Sequence, residues 1–364
     1  MTKEQAITLL KLAGIILCLY LFIVGIGAMG HSFKLFGKEF SEKILTTTSS
    51  PLIGLFIGVL ATSLVQSSST TTSIIVGLVA GGAVSIEGAI PMVMGANVGT
   101  TITNTLVSMG HITRRVEFRR AFAAATVHDF FNLITLVVLL PLQLYTQFLS
   151  RASVALANLF ADIGGLKLGS PLKAATKPAI HLLSQLVNDQ PVLLLIAALL
   201  LTFAMLAGIV KLLRSMVLER VEAFFDQHLF STIPRALIFG VLLTATVQSS
   251  SITTSLVIPL VGAGLLSIRQ VLPYTMGANV GTTITAMLAA LSTANVAAIS
   301  VAFAHLLFNI SGIVLILPFE RMRRIPIFLA EGLAEISIRN RLIPFVFVGL
   351  VFFVIPLSLI FLTR

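Results

Sequence analysis

Charged side chains are scarce. Asp, Glu, Lys and Arg make up 10% of the 364 residues while 57% are hydrophobic, and the mean hydropathy is +1.03. So little charge cannot cover the surface of a water-soluble fold, which is therefore excluded. Cysteine is limited to Cys18, inside the first apolar run. It cannot form an intramolecular disulfide, so no redox compartment can be read from it. Acidic residues are also few, 14 against 24 Lys and Arg, for a formal net charge of +10. In a soluble chain that excess would suggest nucleic acid. In a chain this apolar, basic residues in short loops set orientation in a membrane, and no nucleic-acid partner is expected.

What the chain does have is long apolar runs. Residues 5–30, 191–210, 294–317 and 342–362 are each long enough to cross a hydrocarbon core of about 30 Å. A fifth run, 121–149, carries His128, Asp129 and Asn132. The first run is longer than the apolar core of a signal peptide and has a counterpart later in the chain, so it reads as a span. The expected partner is the lipid bilayer of the cell inner (plasma) membrane.

The chain also repeats itself. Residues 65–103 and 247–285 align without a gap at an offset of 182, with 24 of 39 positions identical. The matches are mostly Gln, Ser, Thr, Asn and Gly, which shared apolar composition cannot produce. Each copy holds a QSSS segment, Gln66–Ser69 and Gln248–Ser251, followed 28 residues later by MGANVGTTIT. Similarity resumes weakly at His128-x-x-Phe131-Asn132 and His305-x-x-Phe308-Asn309.

Residues 51–65 would make a helix of about 22 Å, too short to cross. A polar turn and a second short apolar piece follow, and 234–268 repeats the pattern. This predicts a re-entrant hairpin in each copy, whose polar tip must be satisfied by protein or by a wet cavity. Gly95, Asn97 and Gly99 are poor interior helix residues, so each GANVGTT segment is expected to be a transmembrane helix broken at its middle, with free N–H and C=O groups there. Between the hairpins the chain crosses at about 89–109, 119–141 and 191–211. An odd number of crossings inverts the second copy. Lys34, Lys38, Lys43, Arg151, Lys167, Lys173, Lys177 and Arg364 fall on one side and the remaining sixteen Lys and Arg on the other, which puts the N-terminus in the cytoplasm. The expected fold is an all-α membrane protein with two inverted-topology repeats, 1–149 and 189–320. An extracytoplasmic linker, 150–188, joins them, and a C-terminal segment, 321–364, adds one further span. Such repeats are the architecture of secondary transporters.

The QSSS segments offer neutral hard oxygens and O–H donors. A small monovalent cation suits such a cage, whereas a multiply charged one would want carboxylates, and the motifs contain none. Hydroxyls and half-helix N-termini also favour an oxyanion. One constellation can thus serve an anion and its coupling cations. A lone QSSS would more simply hydrogen-bond a neighbouring backbone. Two copies, each with its GANVGTT, argue for function, while Thr70–Thr72 and Thr253–Thr254 stay open between the two readings. For His128 and Asp129 a helix–helix hydrogen bond, an ion pair with Arg119 or Arg120, and a substrate or proton role all stay open. His305, with no acidic neighbour, reads as structural. The tips have no adjacent base, so no serine hydrolase, and no enzyme, is expected.

At these motifs, and at Glu117–Phe122 and Val127–Asn132, the chain resembles the type II sodium-dependent phosphate cotransporter family. The resemblance covers most of 50–145 and 234–318. It implies sodium-driven uptake of inorganic phosphate by alternating access, with sodium ions as coupling ions and no cofactor. It suggests a sodium site made by Gln248, Ser249, Thr282 and Thr285, and internal symmetry adds Gln66, Ser67, Thr100 and Thr103. Phosphate would sit between the tips, with Ser67, Ser68, Ser69, Ser250, Ser251, Asn97 and Asn279 as candidates. The resemblance is to a bacterial member: a large, Cys-rich external loop and long terminal tails of the kind animal members carry are not seen, and the regulation of those members is not carried over. A carrier of the same fold for another oxyanion, sulfate or a carboxylate, is the alternative.

The inverted repeat is testable directly. Cysteines placed at Ser85 and at Arg269, in a Cys18-free background, are expected to react with an impermeant thiol reagent from the outside and the inside respectively. Labelling of both from one side would refute the inversion.

Overall fold

The computed structural model describes residues 3–37, 50–221 and 227–362. Lys38, Lys43 and Arg364, which enter the orientation count, lie outside them. Among the described residues all regular structure is helical. Five helices are long and apolar enough to cross a membrane: Gln5–Phe36, Arg115–Thr146, Pro191–Leu213, Val296–Ile316 and Ile343–Leu362. These are the five runs expected from hydropathy, with shifted ends. In chain order, α1 is Lys3–Phe36, α2 Pro51–Val65, α3 Ser68–Ala80, α4 Ile86–Gly99 and α5 Ile102–Met109. Then follow α6 Arg115–Thr146, α7 Phe148–Asp162, α8 Gly165–Leu186 and α9 Pro191–Val221. The second half holds α10 Ile233–Val247, α11 Ser250–Gly262, α12 Ile268–Thr293, α13 Val296–Ile316 and α14 Glu320–Arg339. Last is α15, Ile343–Leu362.

The QSSS segments punctuate the two short-helix pairs in the same way. Each first arm has a Pro in its opening turn, where the missing N–H is harmless. Each ends on a Gln in the left-handed region, Gln66 at φ 55° and Gln248 at φ 59°. The Gln amide closes the helix on Thr62 O or Thr244 O, both at 2.7 Å. The next residue is extended, Ser67 at φ −149° and Ser249 at φ −150°, and its hydroxyl caps the second arm by accepting from Thr70 N at 3.3 Å or Ile252 N at 3.4 Å. A left-handed residue other than Gly costs about 1 kcal/mol. The chain accepts that cost twice, at equivalent positions, to end one helix and open the next within two residues.

The GANVGTT segments differ from expectation. In the first copy the helix is interrupted at Thr100 and Thr101, which keep right-handed dihedrals. In the second, α12 runs unbroken through Gly277 and Gly281. The expected break is therefore slight in one copy and absent from the other, and α12 has no free N–H row at its middle. The glycines have a different use. A Cβ at Gly95 would stand 2.0 Å from Leu55 O, and at Gly99 2.6 Å from Val59 O. The equivalent Gly277 and Gly281 would meet Leu237 O at 2.0 Å and Val241 O at 2.7 Å. Glycine here lets α2 lie backbone to backbone on α4, and α10 on α12, and that packing overrides low helix propensity.

Helix packing, within and between the halves, obeys the same internal symmetry. Helix α1 packs on α9, α2 on α4 and α10 on α12. The last span of each half packs on the other half, α6 against α11 and α13 against α3; α6 also packs on α14 and α13 on α7. Segment 150–188 thus begins inside the packed body, since Leu149, Ser153 and Ala157 of α7 are buried. Its second helix, α8, lies against α1.

The close approach predicts an asymmetry between two glycines. Gly277→Ala should lower stability by about 1–3 kcal/mol, because backbone must move to admit the methyl. Gly332→Ala on α14 meets nothing within 4 Å and should be neutral or stabilising by about 0.5–1 kcal/mol. Thermal melting of the two purified variants checks this; equal shifts would remove close approach as the reason for Gly277.

Candidate functional site

The two QSSS turns, far apart in sequence, meet in space. Ser69 Oγ donates to Gln248 O at 3.4 Å and Ser251 Oγ donates to Gln66 O at 3.5 Å. The contact is reciprocal: the third serine-bearing position of each turn bonds the left-handed Gln carbonyl of the other. Ser68, Ser69, Ser250 and Ser251 are all buried. They open α3 and α11, whose first-turn amides have no intrahelical partner. Hydroxyls and partly positive helix ends therefore converge on one junction that holds no Lys, Arg, Asp or Glu of its own.

The sodium set suggested by resemblance is partly assembled. Thr285 Oγ1 donates to Gln248 Oε1 at 2.6 Å, joining α12 to the second turn. Thr282 lies one turn away on α12, buried, its hydroxyl donating to Ala278 O at 3.0 Å. Ser249 is engaged as the α11 cap. A cavity of about 200 Å³ reaches Gln248 and Thr285 between α1, α9, α10 and α12. The symmetric set is looser. Thr100 Oγ1 donates to Ala96 O at 2.9 Å, the Thr103 hydroxyl is buried without a partner, and Gln66 is exposed. Among the described residues no three His, Cys, Asp or Glu cluster as metal ligands. A cation at these turns would be held by hydroxyl, amide and carbonyl oxygens, a donor set suited to a hard monovalent ion.

Asn97 and Asn279, the remaining phosphate candidates, are buried. Their side chains belong to a buried network with the last spans. His128 Nε2 meets Asn279 Oδ1 at 2.7 Å and His305 Nε2 meets Asn97 Oδ1 at 3.4 Å, each a contact between the two halves. Asn279 Nδ2 donates to Asn132 Oδ1 at 2.8 Å, and Asn132 Nδ2 donates to Asn97 O at 2.9 Å. Of the three readings left open for His128, the helix–helix hydrogen bond is the one observed. Arg119 instead pairs with Glu335 at 3.4 Å. Both Asp129 carboxylate oxygens are buried with no hydrogen-bond partner.

Two pairings escaped sequence reasoning. One is the bridging by Asn132. The other is Thr254 Oγ1 donating to Asn104 Oδ1 at 3.0 Å, which links α11 to α5. The repeated His-x-x-Phe-Asn motif was the available signal for the first; nothing in the repeat pointed to Asn104.

Comparison with known proteins gives a consistent result. The Na+/Pi-cotransporter family profile matches residues 21–169 and 199–318. Sodium-dependent phosphate transport protein 2B of Homo sapiens is 32% identical over 437 residues, covering 93% of this chain and 63% of that protein. The 2B protein of Bos taurus is 34% identical with the same coverage. Sodium-dependent phosphate transport protein 2A of Oryctolagus cuniculus is 32% identical over 441 residues, covering 99% of this chain and 68% of that protein. The chain thus spans about two thirds of the length of these relatives. No solved structure matches. With most of its length matched, and with both paired motifs inside the matched regions, the chain belongs to the Na+/Pi-cotransporter family.

Proposed function

We propose that this chain is a secondary transporter that takes up inorganic phosphate, driven by sodium, through alternating access at the junction of the two QSSS turns. The observation that carries the reading is the reciprocal contact of Ser69 and Ser251 with the opposite Gln carbonyls. It makes one central, two-sided site of two helix-opening turns, which suits a carrier better than an open pore. The names of the 2A and 2B relatives support sodium and phosphate as the transported pair. In this reading each short-helix pair is a re-entrant hairpin, the repeats are inverted, and the N-terminus is cytoplasmic in the plasma membrane. Sodium is assigned to Gln248, Ser249, Thr282 and Thr285, with Gln66, Ser67, Thr100 and Thr103 as the symmetric set. Phosphate is assigned to Ser67, Ser68, Ser69, Ser250 and Ser251. Asn97 and Asn279 complete the phosphate candidates and are held in place by the amide network. Sodium-dependent phosphate uptake into proteoliposomes tests the reading. Competition by sulfate as strong as by phosphate would favour the other-oxyanion carrier.

If Gln248 and Thr282 ligate sodium, Gln248→Ala and Thr282→Ala should raise the sodium concentration for half-maximal uptake. One neutral ligand lost from a dry site costs on the order of 1–3 kcal/mol, roughly five- to 150-fold in site affinity. A fall in uptake with unchanged sodium dependence would remove both residues from the site.

The turns hold no basic side chain, so the charge of phosphate must be offset by co-bound sodium, hydroxyl donors and helix N-termini. Equilibrium phosphate binding should then fall steeply when sodium is replaced by choline, and phosphate should raise sodium affinity by the same factor. Ser68→Ala combined with Ser250→Ala should weaken binding more than either alone. Phosphate affinity that survives in choline would mean that a cationic side chain holds the anion, and the two-turn site would be wrong.

A further inference from the structure

The His-x-x-Phe-Asn motif occurs once in each half, yet its two copies are bonded differently. On α6 the copy is complete. Asn132 accepts from Asn279 Nδ2 at 2.8 Å and donates to Asn97 O at 2.9 Å, so it joins α4 to α12. On α13 the equivalent Asn309 donates only within its own helix, to His305 O at 2.9 Å, and its Oδ1 is buried with no partner. The amide equivalent to Asn279 Nδ2 is Asn97 Nδ2, and it too turns inward, to Val93 O at 2.9 Å. The His–Asn contacts follow the same bias, 2.7 Å for His128 and 3.4 Å for His305. Asn132 and Asn309 are both at most 1% exposed, so water does not explain the difference.

The internal repeat makes the mirrored arrangement available to the same side chains. Asn97 Nδ2 leaves Val93 and donates to Asn309 Oδ1; Asn309 Nδ2 leaves His305 O and donates to Asn279 O. In return Asn279 Nδ2 folds back to Thr275 O, the counterpart of Val93 at the offset of 182, and Asn132 Nδ2 to His128 O. All four amide groups donate in either arrangement, and the one unpaired acceptor moves from Asn309 to Asn132. Partners are exchanged and none is lost, so no buried donor is stranded and the two arrangements are close in energy. Two discrete, nearly isoenergetic packings are what a switching element needs.

We infer that Asn132 and Asn309 are positioning residues for the two access states: each ties the halves together in one state and is idle in the other. The inference rests on the alternating-access reading, but its test does not need phosphate. Two cavities supply reporters. Ala123 lines one of about 610 Å³ beside Arg119 and Gln270, and Ala80 lines one of about 280 Å³ beside His31 and Lys177. The rate of thiol labelling at Ala123→Cys or Ala80→Cys, each in a Cys18→Ala background, reports the opening of its cavity. Asn132→Ala and Asn309→Ala should shift the ratio of the two rates in opposite directions, by roughly two- to tenfold for each hydrogen bond lost. The double variant should return toward the parent ratio, and both single variants should slow turnover. Asn309→Leu keeps the volume without the bonds and serves if the alanine variant does not fold. Shifts in the same direction, or an Asn309 variant that leaves both rates unchanged, would overturn the inference. Opposite shifts in a protein that takes up no phosphate would support it and count only against the substrate reading.

Discussion

The rest of the structure depends on two QSSS turns whose helix-opening serines are buried and which meet across the halves. A Gln carbonyl in left-handed backbone, at the end of one helix and the start of another, has no ladder to join. Each turn solves this with a serine from the other. The two turns are therefore not independent: each lends a serine hydroxyl to the Gln carbonyl of the other.

That mutual dependence explains the packing around the turns. The first arm of each hairpin is held against the following helix by glycines whose Cβ would overlap a carbonyl oxygen, at matching positions in both halves. Backbone contact this close leaves little freedom to tilt an arm, so the turns are delivered to the junction by rigid pairs, α2 with α4 and α10 with α12. The spans α6 and α13 then cross between the halves, and the His and Asn residues they carry meet the glycine-rich helices on their other side. Direct backbone packing and buried amide bonding thus act on opposite faces of the same helix.

Symmetry in sequence does not enforce symmetry in structure. The turns match to within a few degrees and tenths of an ångström, because each is determined by local backbone geometry. The amide network does not match, because an Asn can bond its own helix or a neighbour for nearly the same energy. The glycine-rich helices α4 and α12 that the network joins also differ. The break at Thr100 and Thr101 in one copy only is the visible difference between those helices.

The sequence by itself determined the class, the five spans, the duplicated unit and the chemistry of the turns. Hydropathy acts over some twenty residues, and a repeated QSSS carries its hydroxyls wherever it folds. The extents of α2 and α10 were legible for the same reason, but α3 and α11 start at Ser68 and Ser250, inside the polar stretches 66–73 and 248–255 that read as turn, because a capping Ser lets hydroxyl-bearing residues open a helix. Tertiary structure alone decided three things. It turned Gly277 and Gly281 from an expected break into a contact surface, because a neighbouring backbone compensates for low propensity. It assigned Asn97 and Asn279 to His128, His305 and Asn132, partners more than thirty residues away that no spacing announces. And it brought Ser69 to Gln248 and Ser251 to Gln66, because hydrogen bonds between distant residues depend on how whole helices pack, which the pattern along one chain does not encode.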